Sequence, residues 1–142
     1  MATIALDDGA LHEDGAVTGG VRFVVQAEGL AIFALATLLY FHGGGSWQLF
    51  ALLFLAPDLS LVGYLAGPRV GALVYNLAHS YIGPATLAAY ALATNEMQAM
   101  PYVLIWTAHL GFDRMLGFGL KYASGFGHTH LGHVGRPAAK GA

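Results

Sequence analysis

Residues 22–41 read RFVVQAEGLAIFALATLLYF, an apolar run closed by Gly43, Gly44 and Gly45. As a helix rising about 1.5 Å per residue, a run of this length spans roughly the 30 Å of a hydrocarbon core. Three further runs follow. They are Trp47 to Ala66, closed by Gly67 and Pro68; Val70 to Ala93, followed by Thr94, Asn95 and Glu96; and Ala99 to Tyr122, where glycines resume. Four such runs in 142 residues leave nothing but lipid to cover them. The expected fold is all-α, an integral-membrane bundle of four antiparallel helices with short loops.

Composition points the same way. Charged residues make up 10% of the chain and hydrophobic ones 56%, where a soluble domain averages about 25% charged, and the mean hydropathy is +0.59. A net charge of -2 and a pI near 6.3 argue against a nucleic-acid partner, which requires a basic stripe to meet phosphates. The absence of cysteine excludes disulfides and thiolate metal sites, so any metal must take His, Asp, Glu or Asn.

The basic residues set the expected topology. Arg22, Arg69, Arg114, Lys121, Arg136 and Lys140 fall at the N-terminus, in the second loop or towards the C-terminus, and none lies in the first or third loop. The positive-inside rule then places both termini in the cytoplasm of a multi-pass cell-membrane protein. Trp47, Tyr64, Tyr90, Tyr102 and Tyr122 near the span ends suit an interfacial belt. Residues 1–21, acidic and glycine-rich without a signal-peptide pattern, are expected as a flexible tail. Residues 22–122 form the membrane domain, and 123–142 a Gly/His-containing cytoplasmic tail.

In this topology the costly polar residues fall at one depth, about 9 to 20 Å from the cytoplasmic interface at the helical rise. They are Glu28 in the first run, Asp58 in the second, Asn76 and His79 in the third, and His109, Asp113 and Arg114 in the fourth, with Lys121 nearer the edge. Burying an ionisable side chain in a bilayer costs at least about 2.5 kcal/mol, so such residues face the bundle interior and mark function. Asn76 and His79 are spaced i,i+3 and His109 and Asp113 i,i+4, so each pair shares a helix face. Mixed His and carboxylate ligands on facing helices suit a divalent metal, zinc first, with iron or manganese as alternatives. Glu28, Asp58 and Asp113 set against Arg114 leave a charge that one divalent cation neutralises. The alternative is a metal-free hydrogen-bonded cluster in which Arg114 pairs with Asp113 or Glu28.

Pro57 is expected to open the backbone beside Asp58, and Gly111, Gly117 and Gly119 to allow close helix approach. The segment from His128 through His130 to His133 could hold metal if extended, although solvated histidines in a tail are the commoner outcome. Lys121 and Arg136 could equally hold anionic lipid headgroups.

The strings APDLSLVGYLAGPRVGALVYNLAHSYIGP (56–84) and WTAHLGFDRMLGFGLKYASGFGHTHLG (106–132) resemble a bacterial integral-membrane family, domain of unknown function 4260. The elements that carry the likeness are Pro57–Ser60, Tyr75–His79, His109–Arg114, Gly119–Tyr122 and Thr129–Gly132. This resemblance implies a membrane fold and no established activity. A more distant likeness is to inner-membrane metal-dependent hydrolases related to the helical zinc phospholipases C, in which an HxxxD pair recurs. His109 and Asp113 fit that pair, and the likeness implies metal-dependent hydrolysis.

The leading expectation is therefore a membrane-embedded, metal-dependent hydrolase acting on a lipid or another membrane-confined substrate. Asp58, His79, His109 and Asp113 are the expected metal ligands. Glu28 is a fifth ligand or the general base, and Arg114 the group that meets phosphate or developing negative charge. Three readings compete: a small proton or cation transporter using the same groups, a structural protein whose polar layer fixes helix register, and a di-iron or haem centre. Homo-oligomerisation is left open.

Overall fold

The computed structural model describes residues 16, 17 and 19–135. Most of the acidic stretch 1–21, together with Arg136 and Lys140, lies outside the described residues. The chain is predominantly helical: α1 (Gly19–His42), α2 (Trp47–Phe54), a 3-10 segment (Ala56–Ala66), α3 (Pro68–His79), α4 (Ile82–Thr94), a 3-10 turn (Met97–Ala99) and α5 (Met100–Leu116), then a short hairpin of β1 (His128–Thr129) and β2 (Gly132–His133).

The main helix pair is α1 against α5. It closes on two glycines. A Cβ added to Gly29 would lie 2.6 Å from the Met115 nitrogen and 2.8 Å from the Gly111 carbonyl, and one added to Gly111 would lie 2.6 Å from the Phe33 nitrogen. Only residues without a side chain let the backbones come this close. The contact sets the rotation of α1, with Gly29, Ala36 and Tyr40 buried against the body. Tyr40 then folds under the turn, its hydroxyl donating to the Ser46 carbonyl at 2.9 Å, and Ser46 caps α2 by accepting from the Leu49 N–H.

The second expected span is α-helical only as far as Phe54. Pro57 has no N–H with which to continue the α ladder, and the eleven residues from Ala56 wind as a 3-10 helix. Three residues per turn stack side chains at i and i+3, and the sequence follows that period. Leu59, Val62 and Leu65 face outward, 72%, 63% and 89% exposed. Pro57, Ser60 and Gly63 form a second, small-residue face, on which Gly63 lets the segment approach Val74 of α3. Asp58, Leu61 and Tyr64 form the third, and Tyr64 lies over Gly71.

Gly67, at φ 105°, makes the turn into α3, and Pro68 starts that helix. The third expected span is not one helix. It breaks at Ser80, which is extended (φ -94°, ψ 147°), and resumes as α4. Pro84 explains the break, since it cannot donate to the carbonyl four residues back, that of Ser80. The fourth span stops at Leu116, short of Tyr122, because Gly117 adopts a left-handed cap (φ 85°) whose N–H closes on the last turn.

The stretch expected as a tail is, through Gly135, part of the folded body. His130 exchanges backbone contacts with Leu120 and Val17, Tyr122 donates to the His128 carbonyl, and Leu131 is fully buried. Thr129 makes the tight turn self-sufficient by donating to the Gly132 carbonyl at 2.6 Å.

Two helical stretches, Gly19–His42 and Trp47–Ala66, are long and apolar enough to cross a membrane. Large apolar side chains stay exposed along the outer faces, among them Phe23, Leu38, Leu52, Ile82 and Leu92.

Candidate metal centre

Four side chains from two helices and the 3-10 segment meet in the interior. α3 brings His79, and α5 brings His109 and Asp113 on one face through their i,i+4 spacing. The 3-10 segment brings Asp58 on the face it shares with Leu61. One ligand atom from each lies within 4.8 Å of every other. His79 Nε2 is 3.2 Å from His109 Nε2. It is 3.4 Å from Asp58 Oδ1 and 3.5 Å from Asp113 Oδ2. His109 Nε2 is 3.7 Å from Asp58 Oδ1 and 3.6 Å from Asp113 Oδ2. The two imidazoles are essentially inaccessible, and Asp113 is buried; the Asp58 side chain is 40% exposed.

These separations bear on whether the cluster could hold a metal ion. Good N–H···O hydrogen bonds run from about 2.7 to 3.2 Å, so most of these pairs are too far apart to bond one another. Ligands held about 2.0 to 2.1 Å from a tetrahedral zinc lie about 3.3 to 3.4 Å apart, whereas an octahedral site of the same radius brings neighbours to about 3.0 Å. Five of the six separations, 3.2 to 3.7 Å, lie near the tetrahedral value, and all four atoms lie within 4.8 Å of one another. Two imidazole nitrogens with two carboxylate oxygens are also a donor set that zinc accepts, so the residues present fit such an ion.

The outer groups hold the donors in the required state. His79 Nδ1 lies 3.0 Å from the Tyr75 carbonyl. A carbonyl only accepts, so Nδ1 carries the proton and Nε2 offers its lone pair to the centre, the usual arrangement behind a metal-bound histidine. Tyr75 also stacks on the His79 ring at 3.7 Å and points its hydroxyl at Asp113 Oδ2, at a long 3.4 Å. Among the described residues His109 Nδ1 is buried with no hydrogen-bond partner, and its ring sits edge-on to Phe54. The described residues therefore do not satisfy both nitrogens of His109.

A cavity of about 370 Å³ adjoins the cluster. Phe54, Leu61, Phe112, Leu116, Phe118 and Phe126 make its apolar wall, and Asp58, Tyr75, His109, Asp113 and Lys121 its polar one.

Not every residue singled out in the sequence comes to this centre. Glu28 lies on the exposed face of α1, because the Gly29–Gly111 contact turns the neighbouring position outward. It joins neither the ligand atoms nor the cavity wall, which corrects its place in the polar layer and in the charge count. Arg114 is buried, but Nη1 donates to the Phe118 carbonyl at 2.8 Å and Nη2 to the His79 carbonyl at 2.9 Å. It ties the end of α3 to the exit of α5 and forms no ion pair with Asp113 within 4.0 Å among the described residues. Asn76 clasps the backbone of Lys121, donating to its carbonyl at 2.8 Å and accepting from its N–H at 2.7 Å. Lys121 itself donates Nζ to the Phe126 carbonyl at 3.0 Å, above the faces of Phe126 and Tyr75.

The C-terminal histidines do not gather a second cluster among the described residues. His128 Nδ1 pairs with Ser124 Oγ, His130 Nδ1 accepts from the Leu120 N–H, and His133 Nδ1 lies near the Gly135 carbonyl. Tyr75 is the participant that motif spacing understated, although its i,i+4 relation to His79 is the available signal.

Fold and site together define a small helical protein with a two-histidine, two-aspartate cluster, buried except at Asp58, beside an apolar cavity. The model for domain of unknown function 4260 matches residues 22–134, and the chain belongs to that family. No curated protein and no solved structure matches it.

Proposed function

We propose that this protein is a multi-pass membrane protein, its termini cytoplasmic, that uses a divalent metal, zinc first, to hydrolyse an ester-type bond in a membrane-confined amphiphile. The observation that carries the reading is the convergence of four donor atoms within 4.8 Å of one another, three of whose residues, Asp58, His109 and Asp113, line an apolar cavity. The outward rows of exposed leucine, isoleucine and phenylalanine support the membrane setting, with α1, the α2–3-10 unit, the broken α3–α4 unit and α5 as the four crossing layers.

The donors divide by accessibility. His79, His109 and Asp113 are buried and fixed, a three-ligand set of the kind catalytic zinc sites use. Asp58 is the exposed member and sits on a 3-10 segment that begins at a proline, so it serves as the exchangeable fourth ligand and as the base facing the cavity. A divalent cation held by these residues would lower the pKa of a water towards about 7 and polarise the scissile group. Asp58, facing the cavity, would take a proton from the attacking water, whose oxygen bonds the acyl or phosphoryl centre, and return it to the leaving alcohol as the ester bond breaks. Tyr75 orients Asp113 and His79, while Arg114 positions His79 through its carbonyl rather than touching the substrate.

The experiment is product release from vesicles of mixed phospholipids and lysophospholipids containing the purified protein, read by mass spectrometry. Zinc-loaded wild type is expected to release product, and Asp113→Asn or chelator-stripped protein to lose at least about a hundredfold, the scale of a removed catalytic group. Stripped protein that retains full activity contradicts the reading. Proton or cation flux in the same vesicles without product would favour transport.

A further inference from the structure

Lys121 is a buried cation on the wall of the cavity. It is 6% exposed, its ammonium spends one donor on the Phe126 carbonyl, and aromatic faces lie 3.7 and 4.7 Å away. No carboxylate of the described residues comes within 4.0 Å of it; the ion pairs all belong to the two histidines. An ammonium has three donors, and a buried one is costly unless an anion meets it. Asn76 fixes the backbone of Lys121 at both its N–H and its carbonyl, so the lysine is held where it stands.

The lysine also lines the cavity that Asp58, His109 and Asp113 line. A divalent cation cancels the charges of the two aspartates, which leaves the ammonium as the uncompensated charge on that wall. The rest of the cavity is phenylalanine and leucine. We infer that Lys121 is the specificity residue of this site, and that the ligand is an anionic amphiphile carrying a phosphoryl oxyanion on an apolar chain. The inference rests on the metal reading above. The oxyanion takes the two spare donors of Lys121 while the chain lies along Phe54, Phe112, Leu116 and Phe126. Phosphate suits the site because its several oxygens let one group face both the lysine and the neighbouring centre.

The test is calorimetric titration of full-length protein in dodecyl maltoside micelles with dodecyl phosphate, dodecanol and inorganic phosphate, the zinc content of every sample being measured separately. Zinc-loaded wild type is expected to bind dodecyl phosphate roughly ten- to a hundredfold tighter than dodecanol, the worth of one hydrogen bond to a charged group, and tighter than inorganic phosphate by a similar factor. Lys121→Met, which keeps an apolar stem between the rings, is expected to hold zinc and lose the preference over dodecanol. Lys121→Arg is expected to keep it. Dodecanol bound as tightly as dodecyl phosphate by wild type overturns the inference without any variant, as does undiminished preference in zinc-loaded Lys121→Met. Inorganic phosphate bound as tightly as dodecyl phosphate overturns the amphiphile and leaves a free oxyanion as the ligand. Wild type that takes up no zinc removes the premise as well, and the metal content reports that failure separately from the titration.

Discussion

His79 Nε2 and His109 Nε2 stand 3.2 Å apart in the interior, and the proton on His79 Nδ1 is committed to the Tyr75 carbonyl. Each way of placing the His109 proton leaves a deficit. On Nε2 it bonds His79 and abandons a buried Nδ1; on Nδ1 it sets two lone pairs against each other. A cation between the rings converts that second arrangement from repulsive to binding, which is why this pair, more than the carboxylates, directs the account.

Removing the α1–α5 contact tests the scaffold. Gly29→Ala and Gly111→Ala each place a methyl within 2.6 Å of backbone, which cannot move aside as a side chain tip can. Each is expected to destabilise by about 1–3 kcal/mol or more, read as a lowered midpoint of thermal unfolding in detergent. Gly20→Ala, with nothing within 4 Å, is expected to leave the midpoint unchanged, and equal midpoints for all three would contradict the packing.

Arg114 tests positioning against direct chemistry. Its two donors reach the Phe118 and His79 carbonyls at once, a fork that lysine cannot reproduce. Arg114→Lys is expected to cost about 1.5–3 kcal/mol, the range of a hydrogen bond from a charged group, and to weaken metal retention through His79. A variant with unaltered stability and metal retention that loses only activity would return Arg114 to the substrate.

His130 supplies a pH dependence. Its Nδ1 accepts the Leu120 N–H, so the ring is neutral in the fold. Burial, then the nearby Arg114 guanidinium, pushes its pKa below the ordinary histidine value. With the folded pKa depressed, the stability it contributes is present above the unfolded value of about 6.5 and is lost as pH falls towards the folded one. Unfolding midpoints between about pH 7.5 and 5 are expected to fall more steeply for wild type than for His130→Asn, whose oxygen accepts without titrating. Parallel slopes would contradict this.

Much of the site was legible because depth and helical spacing are properties of sequence. In the expected topology Asp58, His79, His109 and Asp113 fall at one level, they do lie within 4.8 Å of one another, and the 109/113 pair shares a face whatever the packing. Rotation about a helix axis is not legible in this way, since the Gly29–Gly111 approach decides it and turns Glu28 out. The winding after Pro57 left a trace in the period of three at Leu59, Val62 and Leu65, and Pro84 forewarned of the break at Ser80. A window tuned to apolar length alone passes over both. Arg114 and Asn76 bond backbone carbonyls and amides of distant segments, partners that carry no side-chain signature to read.

A metal held by the His79–His109 pair is tested most directly by elemental analysis of tag-free, detergent-purified full-length protein. About one metal per chain, zinc first, is predicted for wild type, on the stoichiometry of a single tetrahedral site. It should persist in the double variant His128→Gln with His133→Gln and vanish in His109→Ala that keeps its helical circular dichroism. Folded wild type free of metal without any chelator treatment, or undiminished metal in His109→Ala, would contradict the account.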